Sequence, residues 1–229
     1  MVVKRNGEIA MRQYVILKLK GPMQAWGGQS FEGLRHSELF PGRSGLLGLL
    51  GACLGVDRND QERLKQLAKS IGFTVRIDDQ KEPISGKSLL LQKMTDYHTV
   101  KNARVDYRSL KSHDTIQTWR EYVLDACYSI AIWTYTDANF SLQQIIEGVQ
   151  KPIYTPVLGR RSCPLTRPLY EAIVKAECSL DALRQIEPFT GIVYSEEQSD
   201  GAELLYKRDV PIVHQPRQFA TRQVYMSKM

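Results

Sequence analysis

Near its start the chain reads Tyr14-Val-Ile-Leu-Lys-Leu-Lys20 and then, after a loop, Ser44-Gly-Leu-Leu-Gly-Leu-Leu-Gly-Ala-Cys-Leu54, and these two stretches decide its fold. The first contains β-branched residues and alternates at its end, and Gly21-Pro22 follows it directly, so it predicts a β-strand. The second begins at a serine, which is a favourable N-cap residue, and it is apolar on most faces. It predicts a helix that is buried against a sheet.

The apolar periodicity predicts five further elements downstream. They are a helix from Asp60 to Ile71, a strand from Phe73 to Ile77, a long strand from Trp119 to Thr134, a helix from Ser141 to Val149 and a strand from Leu169 to Ala176. The polar excursion from 78 to 117 is longer than an ordinary connection and predicts a protruding hairpin. Residues 187–229 contain three prolines and are predicted to be an irregular segment that wraps the sheet.

The order of these elements, β-α-insertion-β-α-β, fits an α+β domain of the ferredoxin-like (RRM-like) type. The open face of such a sheet is a common platform for single-stranded RNA. With 42% hydrophobic and 24% charged residues, the composition is that of an ordinary globular protein. We therefore expect one domain over residues 11–229, preceded by a short extension at 1–10.

Charge is sorted along the chain. The formal net charge is +6, and residues 151–168 and 210–229 carry basic side chains without one acid. Residues 187–209 instead hold six acids against two bases. This pattern is typical of a polyanion-binding face with a separate acidic surface, which we expect to face a protein neighbour.

Several classes of site are not expected. The four cysteines, at 53, 127, 163 and 178, form no CxxC pair, so we expect free thiols in a reducing cytoplasm and no zinc site. Gly86-Lys87-Ser88 ends like a Walker A loop, but Lys81 stands where that motif needs glycine. No cofactor, secretory signal or membrane span is expected.

The first candidate anion site is Arg43-Ser44, just before the predicted helix. An arginine there places a guanidinium beside free backbone N–H groups at the positive end of the helix dipole, where a phosphate could bind. An ordinary cap with a solvated arginine explains the same pattern equally well.

The richest candidate is the stretch from Lys93 to Tyr122. It interleaves basic and planar side chains, as a groove for unpaired RNA requires. These are Lys101, Arg104, Arg108, Lys111 and Arg120 together with Tyr97, His98, Tyr107, His113 and Trp119. A solvated hairpin with tyrosines at its base is one alternative. Another is a metal-independent endoribonuclease, since histidine, tyrosine and lysine can supply its acid and base.

The third candidate is Tyr154-Thr-Pro-Val-Leu-Gly-Arg-Arg-Ser-Cys-Pro164. Gly159 predicts a sharp bend that presents Arg160 and Arg161, whose forked guanidinium groups suit backbone phosphates. A glycine turn with two exposed arginines is the plainer alternative.

Seven stretches of this sequence carry a resemblance to a known family. They are Leu19-Lys-Gly-Pro-Met-Gln-Ala-Trp-Gly27, Gly42-Arg-Ser-Gly-Leu-Leu-Gly-Leu-Leu-Gly-Ala-Cys-Leu-Gly55, Asp96-Tyr-His-Thr-Val100, Leu110-Lys-Ser-His-Asp-Thr-Ile-Gln-Thr-Trp-Arg-Glu-Tyr122, Tyr154-Thr-Pro156, Leu158-Gly-Arg-Arg-Ser-Cys-Pro-Leu-Thr166 and Pro216-Arg-Gln-Phe-Ala220. On these the chain from residue 11 onward resembles the Cas-five family of the RAMP superfamily, as found in the type I-E CRISPR antiviral complex Cascade. The extension at 1–10 is a departure from family members that would start at Met11.

The resemblance implies a RAMP domain with a β-hairpin thumb, at 78–117, that grips the 5′ handle of the crRNA. It implies contacts with the backbone subunit CasC and the large subunit CasA, and with target DNA indirectly. A different subunit, CasE, cuts the precursor RNA, so a non-catalytic role is implied; a related subtype uses its Cas-five protein as the nuclease, which keeps the endoribonuclease alternative open. A pure protein adaptor is a third alternative.

Together these arguments predict two sets of RNA-binding residues. The predicted phosphate-binding residues are Arg43, Ser44, Arg104, Arg108, Lys111, Arg120, Arg160 and Arg161. The residues predicted to stack on bases or to contact base edges are Gln24, Trp26, His113 and Trp119.

Overall fold

The computed structural model describes residues 11–31, 33–101, 115–214 and 217–229. Its strands are β1 (Arg12–Lys20), β2 (Met23–Gln24), β3 (Trp26–Phe31), β4 (Leu34–Glu38), β5 (Ile71–Asp78), β6 (Gln80–Lys81), β7 (Ser88–Leu89), β8 (Gln92–Lys101), β9 (Thr115–Leu124), β10 (Cys127–Thr134), β11 (Tyr170–Ala176), β12 (Gly191–Ser195), β13 (Glu203–His214) and β14 (Arg217–Lys228). Its helices are α1 (Arg43–Cys53), α2 (Gln61–Ser70), α3 (Leu142–Gln150) and α4 (Ser179–Arg184).

The main sheet has seven strands in the order β11-β1-β10-β5-β12-β14-β13, and every neighbouring pair is antiparallel. The predicted strands at 14–20, 73–77 and 169–176 are confirmed as β1, β5 and β11. Helices α1 and α2 lie between β1 and β5 in the sequence, and α3 lies between β10 and β11.

The prediction that residues 187–229 are irregular is wrong. Strands β12, β14 and β13 from this segment extend the main sheet beyond β5. Pro211 is tolerated because β13 is the edge strand, where a missing N–H breaks no inner hydrogen bond of the sheet. The ladder between β13 and β14 shifts register on either side of it, between Arg208 and Val210 and between Pro211 and Val213.

The central strands β1, β10 and β5 are buried on both faces of the sheet, which explains the nearly continuous apolar run of β1. On one face Val15, Leu17 and Leu19 pack into a core with α1, α2 and α3. On the other face Tyr14 and Ile16 pack with α4 in a smaller core.

The helix boundaries follow local capping. Asp60 accepts a hydrogen bond from the Arg63 N–H at the start of α2, and Ser141 forms a reciprocal capping box with Gln144 at the start of α3. The prediction that Ser44 caps the first helix is wrong. Helix α1 already begins at Arg43, and its N-cap residue is Gly42, which has no side chain to accept a hydrogen bond.

The predicted long strand from 119 to 134 is two strands that belong to different sheets. It breaks between β9 and β10, where Asp125 adopts a φ of +48°, a left-handed conformation that aspartate tolerates better than most residues. Strand β9 pairs with β8 on one edge and with β2 and β4 on the other, while β3 pairs with β4. The segment 78–117 thus contains the short pair β6–β7, strand β8 and only the first three residues of β9, which pairs with β8 and continues to Leu124. Residues 102–114 lie outside the described residues.

Candidate nucleic-acid interface

The β8–β9 pair displays different chemistry on its two faces. Tyr97 lies opposite Trp119, and Asp96 lies opposite Arg120, in a ladder without register shifts. Because side chains alternate along a strand, Tyr97 and Trp119 share one face, which we call the aromatic face. Arg120 and Tyr122 occupy the other.

Three arginines gather on the face opposite the aromatic one; we call Arg35, Arg120 and Arg160 the arginine cluster. Parallel pairing of β4 with β9 places Arg35 directly beside Arg120. The Arg160 guanidinium lies over the Tyr122 ring, 4.7 Å from its centroid, and donates hydrogen bonds to the carbonyl oxygens of Glu121 (3.1 Å) and Arg35 (3.4 Å).

Within the part of the chain that the structure describes, the arginine cluster has no ion-paired counter-ion. Among the described residues, none of the three arginines forms an ion pair. Arg120 donates to the Thr118 hydroxyl at 3.3 Å, and a carboxylate oxygen of Asp96 on the neighbouring strand lies 2.6 Å from His98 Nε2. Three forked donors on one surface are suited to binding successive phosphates of a polyanion.

Arg160 is positioned by the bend that the sequence predicted at Gly159, and the bend is confirmed. Gly159 has a φ of +87°, and a Cβ at this position would lie 1.9 Å from the carbonyl oxygen of Ala25. The buried Leu158 beside it bonds to Cys163 and Ala25 through the backbone. Only glycine allows this close approach, so the loop is held against β2 and β3 and Arg160 reaches the hairpin.

The aromatic face is open to solvent. Tyr97 is 51% exposed and Trp119 is 42% exposed, and their ring centroids lie 5.4 Å apart with planes tilted by 48°. Large rings this exposed offer surfaces on which unpaired bases can stack. The prediction that Trp119 provides such a surface is compatible with its position.

Glu121 links the strands that form the aromatic face. Its carboxylate accepts a hydrogen bond from the Ser37 N–H at 3.1 Å and lies 3.0 Å from His36 Nδ1 and 3.1 Å from Lys93 Nζ. Desolvation works to raise the pKa of Glu121, but the hydrogen bonds from Ser37, His36 and Lys93 outweigh it and hold this pKa at about 2. The ionised carboxylate therefore ties β9 to β4 and β8.

This depressed pKa predicts a loss of stability in acid. Because the pKa of Glu121 is about 2 in the folded chain and 4.5 without these contacts, its contribution is complete above pH 4.5 and lost as pH falls towards 2. We expect the urea midpoint to fall over this window, measured by circular dichroism. In Glu121→Gln the part of the pH dependence due to this residue should disappear; an unchanged profile would contradict the assignment.

Two predicted base-contacting residues are corrected, because the structure places both in the core. Gln24 is fully buried and donates to the carbonyl oxygen of Ala126 at 2.6 Å. Trp26 is 2% exposed and packs edge-on against Tyr128 at 6.2 Å. The stretch expected to be a loop between Lys20 and Ser44 contains strands β2, β3 and β4, and Gln24 and Trp26 face inward there.

The phosphate site predicted at Arg43 and Ser44 is also corrected, because the chain supplies its own anions there. The Arg43 guanidinium is buried, lies 2.5 Å from Glu196 and donates to the carbonyl oxygens of Ala68 and Ile71. At the start of α1, the Arg43 backbone N–H donates to the Asp209 carboxylate at 2.7 Å. The positive end of the helix dipole is therefore already occupied.

Three acids of the segment 187–209 are paired inside the chain, while Glu187, Asp200 and Glu203 are exposed, so the expectation that the segment faces a protein neighbour stays a prediction. Arg222 donates to both oxygens of Asp209, at 2.7 and 2.8 Å, and lies 3.2 Å from Glu196. Glu197 pairs with Arg12 and accepts from the Ser179 N–H. Because these partners are distant in the sequence, no local pattern could reveal the pairs.

The other predicted residues divide into two groups. Arg161 is exposed and lines a cleft beside the Gly159 bend. Arg104, Arg108, Lys111 and His113 lie outside the described residues, so their roles stay predictions. Arg35 was missed, because nothing in its local sequence shows that it lies beside Arg120.

Two further findings concern the described part of the chain. None of its helices combines the length and apolar character that crossing a bilayer requires. Nor do the described residues contain a group of three or more histidine, cysteine, aspartate or glutamate side chains placed to hold a metal ion.

Comparisons with known proteins agree with one another. Residues 14–225 match the family model described as "CRISPR-associated protein (Cas_Cas5)". The chain is 49% identical over 224 residues to the CRISPR system Cascade subunit CasD of Escherichia coli (strain K12), covering 95% of this chain and 97% of that protein.

Solved structures show the same likeness. A chain of a CRISPR RNA-guided surveillance complex superposes with a TM-score of 0.68 at 27% identity, over 94% of this chain and 90% of that one. A crystal structure of a Cas protein superposes with a TM-score of 0.62 at 23% identity, over 94% of each chain, and shows the shared fold alone. On the family match and the close relative, the chain belongs to the CRISPR-associated Cas5 family.

Proposed function

We propose that this chain is a non-catalytic crRNA-binding subunit of a type I-E Cascade complex, where it grips the 5′ handle of the crRNA. The observation that carries the proposal is the arginine cluster, three forked cations on one surface around β9 that form no ion pair with any other described residue. The relatives support it, since one is a Cascade subunit and another belongs to an RNA-guided complex.

In this proposal the two faces of the β8–β9 pair have different roles. The arginine cluster binds phosphates, and Trp119 with Tyr97 offers stacking surfaces to bases. The predicted residues Arg104, Arg108, Lys111 and His113 would extend the interface from the segment between β8 and β9.

We further propose that the fold is ferredoxin-like and that β8 and β9 form the thumb. The order β11-β1-β10-β5 supports the first part, because a β-α-β-β-α-β chain with antiparallel neighbours would give this arrangement. The antiparallel pairing of β8 with β9, apart from the main sheet, supports the second.

The proposal extends to partners and compartment. We propose that the chain joins the CasC backbone to the CasA large subunit and meets target DNA only through the assembled complex. All four cysteines are free thiols, which suits the reducing cytoplasm in which we place the complex. Cleavage of unprocessed repeat RNA by the purified chain without metal would contradict the non-catalytic role.

A salt titration tests the phosphate contacts. In filter binding with handle RNA, we expect Arg120→Ala and Arg160→Ala each to reduce the slope of log binding constant against log salt by about 0.7, the value for one phosphate contact on a single strand. Affinity should also fall at every salt concentration. Arg184→Ala, an exposed arginine on α4, is the matched control and should leave the slope unchanged.

The same titration separates stacking from charge. Trp119→Ala should weaken binding by about 1–3 kcal/mol without changing the slope, because stacking releases no counter-ions. Unchanged slopes in both arginine variants would refute the arginine cluster as the phosphate-binding surface, whatever Trp119→Ala does.

A further inference from the structure

A concave feature lies beside the Gly159 bend. It is a cleft of about 500 Å³ between the end of α3, the segment 152–157 and the segment 161–170. Its walls are mainly apolar, with four prolines and with Leu165 and Tyr170, and Arg161, Gln150 and Thr155 also line it. This volume lies within the range of about 300–1,000 Å³ that is typical of small-molecule sites.

The composition of the cleft points to a ligand that is both planar and anionic. Prolines and a tyrosine ring make stiff, apolar walls against which a flat ring can pack, while the amide of Gln150 and the hydroxyl of Thr155 can hydrogen-bond to its edge. Within the described residues Arg161 forms no ion pair, whereas Arg167 pairs with Glu171. Arg161 is thus the cation that can reach an anionic group at this cleft.

The second argument for a nucleic-acid ligand is the position of the cleft next to the arginine cluster. Arg160, of the arginine cluster, and Arg161, of the cleft, are consecutive residues in a loop closed by hydrogen bonds between Leu158 and Cys163 and between Cys163 and Arg160. A polyanion strand on the arginine cluster would therefore pass next to the cleft. Residues 151–168 contain no acid that would repel it.

We propose that the cleft takes one extruded base of the RNA strand that the arginine cluster holds, with Arg161 on the phosphate of that nucleotide. This inference rests on the proposed function and adds a site for a single nucleotide. The cleft would fix the register of the strand, because one base occupies a defined position while the arginine cluster binds phosphates of any sequence.

The experiment uses the full chain and a single-stranded RNA with the 5′ handle, carrying 2-aminopurine at one position at a time. An extruded base should fluoresce more brightly than the other positions, because it has left the base stack of the strand for walls made mainly of prolines, and it should resist quenching by acrylamide. We expect one such position. An abasic nucleotide there should weaken binding to the unmodified chain by roughly tenfold, the effect of losing one stacked base.

Thr155→Trp should fill the cleft from an exposed position, and Gln143→Trp, on the exposed side of α3, is the matched control. Only Thr155→Trp should remove the protected signal and the effect of the abasic nucleotide.

If RNA binds but no position is both bright and protected, or if Thr155→Trp changes nothing, the cleft is not a base site. If Thr155→Trp instead blocks assembly with protein subunits, the occupant is a peptide. If the unmodified chain binds no RNA, the proposed function itself fails. The abasic series on the unmodified chain decides the question even if Thr155→Trp does not fold.

Discussion

Alanine in place of Arg76 is expected to lower the free energy of unfolding by about 3–5 kcal/mol, the cost of breaking a buried ion pair from one side. The Arg76 side chain is fully buried in the main sheet. It pairs with Asp78 at 2.7 Å and donates to the Ser129 hydroxyl (3.0 Å) and to the carbonyl oxygens of Leu183 (2.7 Å) and Ile186 (2.9 Å). Alanine would remove the guanidinium donor from these carbonyls at the end of α4 and leave them only their backbone donors, the N–H groups of Ile186 and Phe189.

Urea denaturation followed by circular dichroism measures this effect. Arg184→Ala, at an exposed position directly after Leu183 on α4, should change stability by no more than about 0.5 kcal/mol. Lys18 remains 2.6 Å from Asp78, so the carboxylate in Arg76→Ala keeps one cationic partner. A loss below about 1 kcal/mol would mean that water replaces the guanidinium and that the network stabilises little.

Gly159→Ala is expected to reduce stability by about 2–4 kcal/mol and to weaken RNA binding by roughly tenfold. The added Cβ would lie 1.9 Å from the Ala25 carbonyl oxygen, and the φ of +87° is unfavourable for alanine. The loop must move away from β2 and β3, so Arg160 loses its place over Tyr122. Thermal denaturation and filter binding with handle RNA measure the two effects.

Gly86→Ala is the control for backbone conformation alone. Gly86 also has a positive φ, +68°, but nothing lies within 4 Å of the added Cβ. We expect a cost of about 1 kcal/mol and unchanged RNA binding. Equal effects of the two substitutions would show that the cost of Gly159→Ala comes from the positive φ and not from the contact with Ala25.

The parts of the fold that were predictable are those with a strong local signal. Strand β1 is an apolar run that ends at Gly21-Pro22, and α3 begins at a capping box, so both follow from neighbouring residues. Strand β13 carries charges and Pro211 on the edge of the sheet, and its sequence therefore resembles a loop. Its pairing with β14 compensates for that weak local pattern.

The site was only partly predictable, because burial and pairing are tertiary properties. Arg160 and Trp119 were identified from composition and spacing. Trp26 has the same residue type as Trp119 but lies in the core, and Arg43 meets its acidic partner 153 residues later in the chain. Residue type shows what a side chain can bind, and only the fold shows whether it is accessible.

The contacts around the start of α1 have a consequence for biosynthesis. Arg43 is held by Glu196 and Asp209, and these acids are held in turn by Arg222. A nascent polypeptide therefore carries Arg43 without Glu196 and Asp209 until translation has passed residue 209. Native closure at the start of α1 is therefore expected to be a late event, and a premature stop before Glu196 would leave the Arg43 guanidinium without its acidic partner for quality-control factors to recognise.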